Sequence, residues 1–166
     1  MIEVEFLGTG TSTGVPQLGC ECEVCKSADP RDKRLRCSAI VRTQGVSLLI
    51  DCGPDFRQQM LRASDLHLDA LLITHSHYDH VGGMDDLRPY CREIPFPVYA
   101  QPNVVADIKA RIPYCFREHL YPGVPTFDMH PLAVEPFEVK GVRVEPLPVM
   151  HYKLPIFGYR IGNLAY

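Results

Sequence analysis

The chain has 166 residues, 46% apolar and 22% charged, with a net charge of −3. That is the size and composition of one ordinary globular domain, residues 1–166. No apolar run approaches the roughly 20 residues needed to cross a bilayer, so no membrane partner is expected. The net charge offers no basic field to gather nucleic acid.

The N-terminus alternates apolar and acidic residues, unlike a signal peptide. Seven cysteines, an odd number, fit a reducing compartment better than a disulfide framework. A cytoplasmic location is therefore expected.

Residues 3–7 read as a first strand, which runs into Gly8, Thr9, Gly10, Thr11, Ser12, Thr13, Gly14. Such a loop can offer backbone N–H groups to an anion; a tight turn is the alternative. No Gly-Lys-Ser/Thr closes it, so it is not a P-loop. Cys20, Cys22 and Cys25 follow at C-x-C-x2-C spacing, which can bring three thiolates onto one zinc. Three unrelated loop thiols are the other reading. Residues 29–36 form a polar, basic loop.

Residues 37–43 and 46–50 read as a hairpin turned at Gln44-Gly45. Its second strand delivers Asp51 into Cys52-Gly53-Pro54, a place from which a carboxylate can orient a metal-ligating histidine. A helix is expected over 54–63, with Pro54 near its first turn.

The densest chemistry lies at 70–80. An apolar strand over 70–74 stops abruptly, and His75, His77, Asp79 and His80 follow within six residues. His75 and His77 are two apart and project to the same side of an extended segment. One metal can be held by that pair and a second by Asp79 and His80, with zinc, manganese or iron suited to these donors. Gly82-Gly83 frees the backbone, and a helix can start at Met84.

Residues 95–100 form a short strand with prolines, expected near a sheet edge. A helix over 103–111 is expected, with Asn103 as its N-cap. The proline- and aromatic-rich stretch 113–131 reads as a long loop. His67, His119 and His130 read as structural or surface residues, and Cys91 and Cys115 as packing residues. Residues 134–139 and 142–149 form a hairpin turned at Lys140-Gly141. It ends at His151, the candidate third ligand for the metal held by His75 and His77. A last strand covers 157–161.

The set His75-x-His77-x-Asp79-His80, with Asp51 upstream and His151 downstream, resembles the metallo-β-lactamase superfamily. The opening 8–16 loop, the cysteine cluster and residues 51–57 are similar to the branch that contains the phosphoribosyl cyclic phosphate phosphodiesterase. The resemblance implies an α/β fold, a four-layer αββα sandwich with its metals at the edge between two sheets. It implies that His75, His77 and His151 hold one metal, that Asp79 and His80 contribute to a second, and that Asp51 supports them from behind. Cys20, Cys22 and Cys25 match a structural zinc site.

In that family the domain continues beyond the part matched here, supplying a bridging Asp, a further His and the last strands. Residues 1–166 correspond to its first two thirds. The second metal site and one sheet are thus expected to be incomplete, which would favour association, such as a homodimer, or instability.

The implied reaction is hydrolysis of a small phosphodiester by a hydroxide that two divalent metals activate. Asp79 and His80 are the catalytic candidates, and the 8–14 loop and Arg88 are candidate phosphate contacts. A nuclease of the same superfamily and a non-catalytic zinc-stabilised module are the alternatives.

Overall fold

A computed structural model describes residues 1–166. Six strands form the first sheet: β1 (Ile2–Gly8), β2 (Ser38–Thr43), β3 (Val46–Ile50), β4 (Ala70–Leu72), β5 (Phe96–Ala100) and β6 (Phe127–Pro131), in spatial order β1-β2-β3-β4-β5-β6. The β1–β2 and β2–β3 pairs are antiparallel, and β3 to β6 run parallel. The second sheet is antiparallel, in order β10-β9-β8-β7, with β7 (Phe137–Val139), β8 (Val142–His151), β9 (Leu154–Ile161) and β10 (Leu164–Ala165). Four short α-helices, α1 (Glu23–Lys26), α2 (Phe56–Met60), α3 (Tyr78–Val81) and α4 (Pro102–Arg111), and three 3-10 helices complete the chain.

The period-2 alternation of the strands sorts their side chains into two cores. Ile40, Leu49, Leu71 and Val98 face Phe56, Met60, Val104 and Ile108 of the helices. Val41, Leu48, Ile50 and Leu72 face Val144, Phe157 and Tyr159 of the second sheet. The central strands of the first sheet are thus buried on both faces, which is why β4 reads as an unbroken apolar run and β3 as one interrupted only by Ser47. Each such side chain contributes about 1.5–3 kcal/mol.

Every buried apolar residue of α2, α3 and α4 belongs to the first core. Residues 1–166 therefore build helix, sheet and sheet, three of the four layers expected. Both tight hairpins match expectation: Gln44-Gly45 and Lys140-Gly141 all have positive φ, the two-residue turn that suits strand twist.

Several expectations give way. The strand over 70–74 ends at Leu72, because the Thr74 N–H turns to the Asp51 carboxylate. The 54–63 helix shrinks to α2, since Arg62 and Ala63 bond back three residues instead of four. The segment after Gly83 is a 3-10 helix, Met84–Cys91, with Pro89 inside it, where a missing N–H bars a regular α-helix.

β5 is an interior strand. Its neighbour β4 pairs only with Val98 and Tyr99, so the absent N–H of Pro97 is not needed on that side. α4 begins at Pro102 with Gln101 as N-cap, displacing Asn103. The long loop over 113–131 contains a 3-10 turn and β6. His130 lies on β6 and stacks on Tyr99, ring centroids 4.4 Å apart.

Candidate metal centre

β1, β3 and β4 point the same way, and the loops after their C-terminal ends meet at one end of the sheet, the usual place for ligands in α/β sheets. Asp51 follows β3 in a left-handed conformation, φ 61°, and is fully buried. Its Oδ1 accepts the Thr74 N–H at 2.8 Å, and its Oδ2 lies 2.9 Å from the Thr74 hydroxyl and 2.7 Å from His80 Nδ1. The Thr74 hydroxyl also lies 2.9 Å from His75 Nδ1.

These contacts select the tautomers. A hydroxyl that donates to Asp51 can accept from His75 Nδ1–H. His80 Nδ1–H donates to Asp51 directly. Both rings then keep their Nε2 lone pairs for a metal, an arrangement common behind metal-ligating histidines.

The lone pairs converge. His75 Nε2 lies 3.1 Å from His77 Nδ1, and His80 Nε2 lies 3.1 Å from Asp79 Oδ2. His151 comes from the other sheet, as the last residue of β8 before the two-residue turn Tyr152-Lys153, paired with Leu154. Its ring centroid is 5.5 Å from that of His75 and 5.4 Å from that of His77. Ligand atoms of His75, His77 and His151 all lie within 4.8 Å of one another. The Asp79–His80 pair stands beside them, with the His75 and His80 rings 4.1 Å apart.

Backbone lacing holds these loops. Cys52 N–H donates to His80 O and Gly83 N–H to Cys52 O. A Cβ on Gly53 would stand 2.0 Å from Asp79 O, so that close approach requires glycine. From α4, Asp107 accepts the Ser76 hydroxyl at 2.5 Å, and Arg111 donates to Ser76 O at 3.0 Å.

Burial, helped by its histidine neighbours, pushes the pKa of His75 down to about 4. It is a neutral imidazole at any ordinary pH, the form a metal needs. Burial opposes charge at His80 too, but Asp51 and then Asp79 outweigh it and its pKa lies above the ordinary value. The same Asp51 contact makes His80 a more basic donor. Three converging imidazoles beside a carboxylate–imidazole pair form a donor set that fits divalent transition metals, zinc among them.

The centre lies in an open cleft of about 530 Å³. Gly10, Thr11 and Ser12 of the loop after β1 form one wall, and Cys37 and Ile156 another. Arg88 does not reach this cleft. It pairs with Asp85 and borders a separate apolar groove with Phe56, Met60 and Tyr90, so it is not a phosphate contact of this cleft.

Cys20, Cys22 and Cys25 gather their sulfurs within 4.8 Å of one another, and none of the three lines the cleft. The Cys25 N–H donates to Cys22 Sγ, and that contact pulls the Cys22 pKa down, which favours thiolate. The Gln17 N–H donates to Cys25 Sγ.

Sequence reading missed Thr74, Cys37 and Ile156. The Thr immediately before His75 was a readable signal; the other two reach the cleft only through folding.

The family model described as a beta-lactamase superfamily domain matches residues 47–166. An octanoyltransferase of Porphyromonas gingivalis is 51% identical over 163 residues, covering 97% of this chain and 33% of that protein. The crystal structure of a diphosphatase from the PhnP family superposes with a TM-score of 0.89 at 38% identity, covering 100% of this chain and 64% of that one. Zn(2+)-bound PqqB from Methylobacterium extorquens gives a TM-score of 0.73 at 26% identity, covering 99% and 63%. The chain spans a third of the first relative and less than two thirds of each solved chain. With the family match over most of its length and the histidine centre at the strand ends, the chain belongs to the metallo-β-lactamase superfamily.

Proposed function

We propose that this domain is a metal-dependent hydrolase acting on a small phosphodiester, a cyclic one in the first instance. The observation that carries the reading is the convergence of His75, His77 and His151 beside Asp79 and His80. In this reading the three histidines hold one divalent metal and Asp79 with His80 hold a second. Zinc is the first choice, supported by the zinc-bound PqqB relative. Cys20, Cys22 and Cys25 hold a further, structural zinc. When bound, the active-site metals supply Lewis acidity, lowering the pKa of water and offsetting charge on the phosphoryl group.

The chain's own residues do the rest. Asp79 accepts a hydrogen bond from the attacking water and so directs its lone pair at phosphorus. Asp51 keeps His80 in the tautomer that presents Nε2. The substrate class is supported by the likeness to a PhnP-family diphosphatase. A cytoplasmic location is supported by seven free thiols.

A second reading, hydrolysis of an acyl thioester, is favoured by the 51% identity to part of a protein named octanoyltransferase. Zinc-loaded protein assayed against a cyclic phosphodiester, a single-stranded oligonucleotide and an octanoyl thioester separates the readings. Cleavage of the cyclic phosphodiester is expected to dominate. Folded His77→Ala should lose at least a hundredfold in rate and most of its bound metal. Wild-type cleavage by that variant would sink the mechanism, and faster thioester turnover would move the assignment to acyl chemistry.

A further inference from the structure

We propose that residues 11–13, in the loop after β1, are the phosphoryl-oxygen cradle of the cleft, and that the Asp55–Arg36 ion pair positions that cradle. The inference rests on the phosphodiester reading above.

Thr11 and Ser12 line the cleft together with the histidines. The Gly10 N–H is engaged by Leu35 O and the Gly14 N–H by Thr11 O. Between them, the N–H groups of Thr11, Ser12 and Thr13 donate to no acceptor in the protein, and all three residues are exposed. Each also carries a hydroxyl. The Thr11 and Thr13 hydroxyls lie 3.2 Å from each other, and the Ser12 hydroxyl has no protein partner. Successive free amides and that hydroxyl, at the wall of a cleft whose donor set suits divalent cations, fit an anionic, multi-oxygen group. Being neutral, they hold such a group without competing with metals for the ligands.

The loop is fastened from behind. Gly8 and Gly10 lie so close to the 34–36 backbone that a Cβ would meet Arg36 O at 2.0 Å and Arg34 O at 2.7 Å. Arg36 Nε donates to Ser12 O at 2.8 Å, and Arg36 Nη1 donates to Asp55 Oδ1 at 2.8 Å. The Arg36 N–H donates to Asp55 Oδ2 at 2.8 Å, and Gln59 Nε2 donates to Arg36 O at 2.7 Å. Asp55 is only 17% exposed and follows Asp51 by four residues. One short segment therefore orients His80 with its first carboxylate and Ser12, through Arg36, with its second.

The test is titration of inorganic phosphate into the zinc-loaded chain by calorimetry, with zinc content and melting temperature read in parallel. Charge alone predicts that Asp55→Asn, which removes a negative charge, tightens phosphate binding. Positioning predicts the opposite sign, about tenfold weaker binding at unchanged zinc content. Arg36→Lys keeps the charge but not the fork, and is expected to weaken binding similarly. Ser12→Pro removes one amide and one hydroxyl at the second position of the Thr11–Gly14 turn, where proline is accepted. It should also weaken phosphate binding about tenfold, and it decides the matter should Asp55→Asn fail to fold.

Wild-type or tighter phosphate binding in folded Asp55→Asn and Ser12→Pro overturns the proposal, as does a wild-type chain that binds no phosphate. Because the readout is binding, the two readings fail separately. Loop-dependent phosphate binding without turnover leaves the cradle standing and removes the phosphodiesterase. Turnover with loop-independent phosphate binding does the reverse.

Discussion

At the scale of single residues, the centre depends on a hydroxyl one position before its first histidine. Thr74 donates to a fully buried Asp51 and stands 2.9 Å from His75 Nδ1. Replacing it by Val deprives the carboxylate of a donor and the ring of an acceptor, while leaving shape nearly unchanged. Partners of this kind are typically worth 10- to 100-fold in metal affinity. Zinc affinity of Thr74→Val, measured by competition with a chromophoric chelator, should fall by that factor, and Thr74→Ser should recover most of it. Equal affinities for Val and wild type would mean that His75 needs no orienting partner. Gly53 belongs to the same scale: a glycine in a Cys-Gly-Pro stretch reads as a turn signal, yet the structure uses it to bring the backbone against Asp79 O, where an added Cβ would stand only 2.0 Å away.

Among elements, the decisive relation is that between β9 and the end of β4. The buried Tyr159 hydroxyl donates to Ile73 O at 2.6 Å, and the Phe157 N–H donates to Thr74 O at 3.1 Å. The second sheet is thus stitched to the two residues that lead into His75, the same sheet that carries His151. Tyr159→Phe keeps the packing and leaves a buried carbonyl short of a donor, a loss of about 1–3 kcal/mol. Urea denaturation should show that loss with an unchanged slope. A midpoint equal to wild type would show that the stitch carries no stability. The β8–β9 hairpin itself was half legible. Sequence reading stopped β8 at Val149 and began β9 at Phe157, whereas the ladder runs on to the His151–Leu154 pair. Pro155, which pairs with Met150 in the ladder, hid the early start of β9, because proline ordinarily marks the end of pairing.

For the whole molecule, the two sheets are clasped at their far side by Asp69. Its buried carboxylate accepts from the Ser47 N–H of β3 at 2.8 Å and from Lys140, in the β7–β8 turn, at 2.5 Å. Burial alone would raise its pKa, but Lys140 and the Ser47 amide outweigh burial and hold it below the ordinary carboxylate value. A depressed folded pKa means stability that is present above the ordinary Asp range and lost as pH falls through the folded pKa. Asp69→Asn should therefore cost about 1–3 kcal/mol at pH 7, and the gap to wild type should close as the pH is lowered toward 3. A gap that stays constant with pH would show that the carboxylate's charge plays no part.

Sequence alone determined the ligand types and the elements that deliver them. His75, His77, Asp79 and His80 follow an apolar strand within six residues, and local spacing controls direction over so short a distance. The turns at Gln44-Gly45 and Lys140-Gly141, the strands of the first sheet around Asp51, and the cysteine cluster were legible for the same reason. Tertiary structure decided which distant parts meet, although the strand-end pattern and the family resemblance already make His151 and the 8–14 loop candidates. His151 joins His75 and His77 only because a second sheet packs across the first. Thr11, Ser12 and Cys37 reach the cleft only because β1 and β2 sit beside β3, and Arg88 is turned away from it. Period and spacing act along the chain, whereas cross-sheet contacts depend on summed packing over two cores, which no local pattern records.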